Sequence, residues 1–404
     1  MGQAPTQGCD ILHALECATQ SYDWGSAEAI PGFMRRDADG RRVAEVWVGT
    51  HPLGAAHVVD AAGGRRPLAE VAGELGFMLK VLAADRPLSI QVHPDAVRAA
   101  SGFAAEEAAG IAINAPERVF KDPYPKPEMV YALTTFDTLV GLRRTSEIMR
   151  VLHAVEHPLA DDLMTELGDN TGFVGIVRLI EGLLASPPGP DVVAEVALAC
   201  QKALDDGRDV KRAFETAVEL ADTNPGDVGV IISLLLNRLT LQAGEAAYLA
   251  TGIIHAHLRG LCLEVMVSSD NVLRAGLTSK HVDPHGLVRC LEEGTSRAAR
   301  VEPIVFNYST DVFSPCGDFA LSVTQSSPAD PAGVVLPASG PRLLICTGGA
   351  VALANRRDEV LRLGRGDVAY ADDSDGELRV GGTGEVAQAF VPTTDSRGQL
   401  FDLI

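Results

Sequence analysis

Three short stretches carry residue types that could bind a metal ion and move protons. In "PLSIQVHPDAV" (87–97), Leu88, Ile90 and Val92 alternate with Ser89, Gln91 and His93. That is the period of a strand with one apolar face and one face bearing a hydroxyl, an amide and an imidazole. Gln91 and His93 lie two residues apart and so point the same way, as chelation requires; the plain alternative is a solvated strand face. In "YPKPEMVYAL" (124–133), Lys126 and Glu128 also share a face, on backbone that Pro125 and Pro127 hold extended. Alone, that pattern fits an exposed edge strand. In "AGEAAYLATGIIHAHL" (243–258), a Gly–acid turn, a strand and a second Gly turn lead to His255 and His257. Imidazole nitrogens combined with carboxylate and amide oxygens make a borderline-hard donor set, which suits Zn2+ best, with Mn, Fe or Co as alternatives.

A fourth stretch, "EVMVSSDNVLRAGLTSKHVD" (264–283), gathers Glu264, Asp270, Asn271, Arg274 and Lys280. Together with Lys80 and Lys126 it offers the local positive charge that a phosphate needs. The chain as a whole carries a net charge of −20. Its overall field therefore disfavours nucleic acid and anionic membranes, and neither is expected as a partner. No run of about 18 apolar residues reads as a membrane span. The N-terminus lacks a basic region followed by an apolar core, so no signal peptide is expected. The seven cysteines are scattered and contain no C-x-x-C, the pattern of free thiols in a reducing compartment. A cytoplasmic protein, monomeric or a weak homodimer, is expected.

The elements that must position these residues change texture along the chain. Residues 1–144 read as short strands broken by Gly, Pro and Asp turns, with one Ala/Glu-rich helix near 95–112. Residues 145–223 have apolar residues at helical spacing throughout, as in "SEIMRVLHAVEH" and "DVVAEVALACQKALDDG". Strands return over 224–312, and a further set of short strands fills 313–404. The expected fold is mainly β with an α-helical insertion. Its β parts are a catalytic barrel in two pieces (1–144 and 224–312) and a C-terminal barrel (313–404), of sandwich or jelly-roll type.

The Gly turns and the order of the ligand candidates resemble the two signatures of cupin barrels, with Gln91 where the first His usually stands and Ala250 where a Pro usually precedes the second turn. The resemblance narrows with "YDWGS" (22–26), "AEVWVGTHP" (44–52), "LKVLAADRPLSIQVHP" (79–94), "KPEMVYAL" (126–133), "PGDVGVIISLLLN" (225–237) and "SDNVLRAGLT" (269–278). In family order, these are similar to the zinc-dependent type I mannose-6-phosphate isomerases. That likeness implies two cupin-type jelly-roll barrels, the second without metal, and a helical domain. It implies that Gln91, His93, Glu128 and His255 hold one Zn2+, and it places Lys80, Lys126, Asp270 and Arg274 around a sugar phosphate. The implied activity is the interconversion of D-mannose 6-phosphate and D-fructose 6-phosphate through an enediol(ate).

Within that reading, Lys80 is the expected base, its pKa lowered by the metal and neighbouring cations, with Glu264 as the alternative. Arg274 and Lys126 stabilise charge, Asp270 assists ring opening, and Ser89, Glu264, Lys280 and His257 contact substrate. The chain departs from the family pattern in three places: Pro125 replaces the His of H-K-P-E, His257 the Tyr of H-A-Y-L, and Ser279 the Pro of T-P-K. Tyr124 or His257 could take over the lost His. These changes leave open the same chemistry on another aldose, or a non-catalytic sugar-phosphate sensor. Trp24 and Trp47 read as packing residues, and His153 and His157, one helical turn apart, as surface residues.

Overall fold

The computed structural model describes residues 12–60, 62–293, 299–337 and 340–392. Among these, the strand-patterned segments form two antiparallel sheets of eleven strands each, accompanied by ten α-helices. Five helices follow one another over Thr145–Val155, Pro158–Asp169, Phe173–Ala185, Pro190–Asp205 and Ala213–Thr223. Their apolar stripes bury Leu152, Ile180, Val196 and Leu220 in one core with Ile90, Val92 and Leu139. The helical block thus braces the back of the strand that carries Gln91. No helix among the described residues is long and apolar enough to cross a membrane. The six described cysteines are free, and Cys9 lies outside the described residues.

Sheet membership does not follow the changes of texture along the chain. The N-terminal strands His13–Glu16, His57–Val59 and Arg65–Pro67 join the sheet built from Ala320–Ser326, Arg342–Ala354 and Arg379–Phe390. His13 pairs with Tyr370 and Leu15 with Val368, and Val58 shares a core with both of those partners. The strands Ile304–Asn307 and Thr310–Phe313 belong to the same sheet. A short strand's own residues do not say which distant edge it will meet.

One strand organises the other sheet. His255–Val267 changes partners partway along its length. Its first half lies between Ile90–Val92 and Phe136–Leu142, pairing His255 with Gln91 and Val140, and His257 with Thr138. From Gly260 onward it lies between Phe77–Ala84 and Glu128–Ala132, pairing Glu264 with Lys80 and Val130. The switch needs glycine: Gly260 has φ +125°, and a Cβ there would sit 2.5 Å from the Thr135 carbonyl oxygen. Paired residues face the same side of a sheet. One strand therefore aims His255, His257 and Glu264 into the same interior, opposite Gln91, Lys80 and Glu128.

A second constraint sets the neighbouring strand, Leu273–Gly276, whose Arg274 pairs with Gln91. Asp227 of the "PGDVG" turn accepts hydrogen bonds from the amides of Gly229 and Leu277, each at 2.7 Å. Gly276 (φ +152°) lies against Gly229 so closely that a Cβ would be 2.7 Å from the Gly229 Cα. The end of the helical block thereby fixes where Arg274 and Lys280 emerge.

Candidate metal centre and substrate cavity

Glu128 lies at the centre of the cluster and is 1% exposed. One carboxylate oxygen, Oε1, is 3.0 Å from Lys126 Nζ and 3.4 Å from His93 Nε2; the other, Oε2, is 3.4 Å from His255 Nε2. Gln91 Nε2 is also 3.4 Å from His255 Nε2. Pro125 and Pro127 keep the backbone extended up to Glu128, which drives Lys126 and Glu128 inward together. Both are buried, so the stretch that alone resembled an exposed edge is interior. The same holds for the face of Gln91 and His93, whose solvated alternative is excluded by His93 at 1% exposure.

The protonation pattern of the two histidines follows from their partners. His93 Nδ1 is 2.7 Å from the Asn271 carbonyl oxygen, and His255 Nδ1 is 2.9 Å from that of Ile253. A carbonyl can only accept, so each Nδ1 carries the hydrogen, and in the neutral ring each Nε2 presents a lone pair. Those lone pairs face Glu128 oxygens, which are acceptors too. Accordingly, His93 Nε2 and Glu128 Oε2 are buried without a hydrogen-bond partner. Acceptors facing acceptors in a dry interior require a cation between them. Burial, and then the Lys126 charge, push the His93 imidazole down to about 4, so it is neutral and ligand-competent at neutral pH. A tetrahedral ion with bonds of about 2.1 Å puts neighbouring ligand atoms roughly 3.4 Å apart, which is the spacing observed. Turning the Gln91 amide presents Oε1 as a fourth donor. The donor set fits a zinc-type ion.

The cluster opens into a cavity of about 430 Å3. Of the residues expected from sequence, Lys80, Lys126, Asp270, Arg274, Ser89, Glu264, Lys280, His257, Gln91 and Glu128 all line it, while His93 and His255 lie behind. Tyr124 is 57% exposed and does not line the cavity, so of the two stand-ins for the missing His only His257 is in place. Trp24 and Trp47 border the cavity as well as packing; Trp47 donates from Nε1 to Glu45 at 2.8 Å. His153 is exposed and His157 is 3.4 Å from Glu195, well away from any ligand cluster.

Lys80 has carboxylates as its nearest charged neighbours. Its ammonium is 3.1 Å from Glu264 Oε2 and 3.5 Å from Glu45 Oε1. Burial alone would lower its pKa, but the charges of Glu45, Glu264 and Glu128 outweigh burial and raise it. Glu264 mirrors it: burial would raise the carboxyl, yet Lys80 holds it down at about 2. The carboxylates of Glu45 and Glu264 therefore favour the ammonium form of Lys80.

Several residues of the site have roles that sequence reasoning did not assign. Asn271, noted in its stretch without a role, is fully buried and ties the site together. Its side chain donates to the Asp122 and Tyr124 carbonyls, each at 2.8 Å, and accepts from the Lys121 amide at 2.7 Å, while its own carbonyl orients His93. Asp122 accepts from Ser269 Oγ and the Asp270 amide, both at 2.8 Å. His51, from "GTHP", lies 3.3 Å from Asp270 Oδ2. Burial would raise the Asp270 carboxyl, but the hydrogen bond and charge of His51 hold it below its usual range. Lys121 lines the cavity with Arg274 and Lys280, and none of the three has an ion-pair partner among the described residues. Burial lowers the pKa of Arg274; for Lys280, burial comes first, with Arg274 and Lys121 adding to it. Three unpaired cations beside a cavity make a site for a dianion. Sequence offered only weak signals for Asn271 and Lys121, since each acts through contacts distant in the chain.

The Asn271 network yields a test. Asn271→Ala frees the 121–124 loop that leads into Lys126 and Glu128. Metal affinity, measured by competition with a chelator, is expected to fall about 10–100-fold, as for other supports of metal ligands. Unchanged affinity would remove Asn271 from the metal's support.

Comparison with known proteins agrees with this architecture. The family description "Phosphomannose isomerase type I, catalytic domain" matches residues 12–145. The chain is 32% identical to mannose-6-phosphate isomerase of Escherichia coli (strain K12) over 400 residues, covering 94% of this chain and 99% of that one. Mannose-6-phosphate isomerase 1 of Arabidopsis thaliana is 30% identical, covering 84% of this chain and 85% of that one. Among solved structures, mannose 6-phosphate isomerase from Salmonella typhimurium, bound to fructose 6-phosphate and zinc, superposes with a TM-score of 0.82. It is 30% identical, covering 94% of this chain and 99% of that one. The chain belongs to the mannose-6-phosphate isomerase family, type I.

Proposed function

We propose that this protein is a zinc-dependent aldose–ketose isomerase that interconverts D-mannose 6-phosphate and D-fructose 6-phosphate through an enediol(ate). The observation that carries the reading is the set of inward-facing acceptors on His93, His255 and Glu128, next to a cavity with unpaired cations at Lys121, Arg274 and Lys280. The β parts are read as cupin-type jelly rolls and residues 145–223 as a separate helical domain. Gln91, His93, Glu128 and His255 would hold the ion. Bound there, zinc supplies a Lewis acid that draws charge from the reacting oxygens without redox change.

The chain's own groups do the rest. Lys121, Arg274 and Lys280 hold the phosphate, with Ser89 as a neutral donor. Arg274 also faces Gln91 across the strand pair, so it reaches from phosphate towards the reacting end and stabilises charge there. Lys126 neutralises Glu128. Isomerisation moves one proton from C2 to C1 and the hydroxyl proton from O2 to O1. Because Lys80 rests protonated, the accepting member of the Lys80–Glu264 pair is the Glu264 carboxylate. The Lys80 ammonium steadies the developing enediolate and keeps the proton within 3.1 Å of the carboxylate. Asp270, held ionised by His51, takes the anomeric hydroxyl proton and returns it to the ring oxygen as the C1–O5 bond breaks.

Two variants separate metal binding from chemistry in a coupled assay with mannose 6-phosphate and a panel of other aldoses. His93→Ala is expected to lose bound zinc and turnover together; full activity in a zinc-free His93→Ala protein would overturn the ligand assignment. Arg274→Ala should keep its zinc while kcat/KM falls about 10²–10³-fold. An unchanged kcat/KM would take Arg274 out of the site, and turnover of an unphosphorylated aldose alone would overturn the phosphate reading.

A further inference from the structure

His257 is built like the two histidines that face Glu128. Its Nδ1 is 3.1 Å from Thr138 Oγ1, and that hydroxyl donates to the Ala256 carbonyl at 3.0 Å. With its hydrogen spent there, the hydroxyl accepts from Nδ1, so in the neutral imidazole His257 Nε2 presents a lone pair. Nε2 is 1% exposed with its residue, has no hydrogen-bond partner, and lies 3.4 Å from Glu264 Oε1. In that form two acceptors again face each other, here at the cavity wall. The remaining atoms are spoken for: Glu264 Oε2 faces Lys80, and Glu128 Oε1 faces Lys126. His257 Nε2, a Glu264 oxygen and a Glu128 oxygen all lie within 4.8 Å of one another.

We propose that Glu128, Glu264 and His257 form a second divalent-cation site, sharing Glu128 with the first. One imidazole and two carboxylates suit Mn2+ or Zn2+, and a shared carboxylate is the usual bridge of a two-metal centre. The ion binds more weakly than the first, because Lys80 and the first ion both repel it. The family pattern has Tyr at position 257, whose phenol supplies no imidazole nitrogen, so the site is a property of this chain. The proposal rests on the reading of His93, Glu128 and His255 as ligands of the first ion.

The test titrates the enzyme carrying one zinc per chain with Mn2+, following free Mn2+ by EPR. The expected result is one further equivalent bound, absent in His257→Tyr and His257→Gln, which retain their zinc as evidence of an intact first site. Metal-free enzyme given two equivalents of Mn2+ should show the exchange-coupled spectrum of ions about 4 Å apart. An uncoupled spectrum, no added Mn2+ bound up to millimolar concentration, or the same extra equivalent in both His257 variants would each overturn the proposal. If His93→Ala keeps its zinc, the first-site reading fails. If His93→Ala loses zinc and the wild type still takes up no Mn2+, the second site alone fails.

Discussion

A carboxylate buried as deeply as that of Glu128 must be met by positive charge, and the rest of the structure follows from how that is done. An unpaired ion moved into the interior costs several kcal/mol even after relaxation. Lys126 meets one oxygen. The other faces His255, which offers an acceptor rather than a donor. The burial of this atom is stabilised only by a cation that the two imidazoles and the carboxylate hold in common. The fold is arranged so that every approach to Glu128 ends in a lone pair or a lysine.

Three different backbone devices deliver those groups. Gly260 lets a single strand leave one pair of neighbours for another, so that His255, His257 and Glu264 converge although they face different partners. Asn271 couples the loop before Lys126 to the carbonyl that sets the His93 tautomer. Asp227 and Gly276 pin the strand of Arg274 against the end of the helical block. None of these three devices touches the cavity's reacting end directly, yet each decides where a ligand or a cation points. Supports of this sort are why a metal site is more than its ligands.

Much of the site was legible in the chain because its groups come in short local patterns. Gln91 and His93 share a strand face, Lys126 and Glu128 follow a Pro-enforced extended segment, and His255 follows a Gly turn; spacing alone puts such pairs on one side. The helical block was equally plain, since its apolar period is local. What spacing could not show was what lay opposite. The Lys80 ammonium stays charged because Glu45 and Glu264 approach from neighbouring strands, and nothing in "LKVLAADRP" says so. Tyr124 follows the same logic: adjacent to the lost His position in sequence, it turns to the surface. Sheet membership has the same character, because His13–Glu16 finds its partner some 350 residues away, at Val368–Ala371.

The central claim is that the interior imidazoles carry their hydrogen on Nδ1 and aim Nε2 at carboxylates as a ligand atom. Long-range 15N–1H correlation spectra of zinc-loaded, 15N-histidine-labelled protein at neutral pH read this directly. The account requires His93, His255 and His257 all to appear as the neutral Nδ1–H tautomer. Any of the three found as Nε2–H, hydrogen-bonded to its carboxylate, would contradict it.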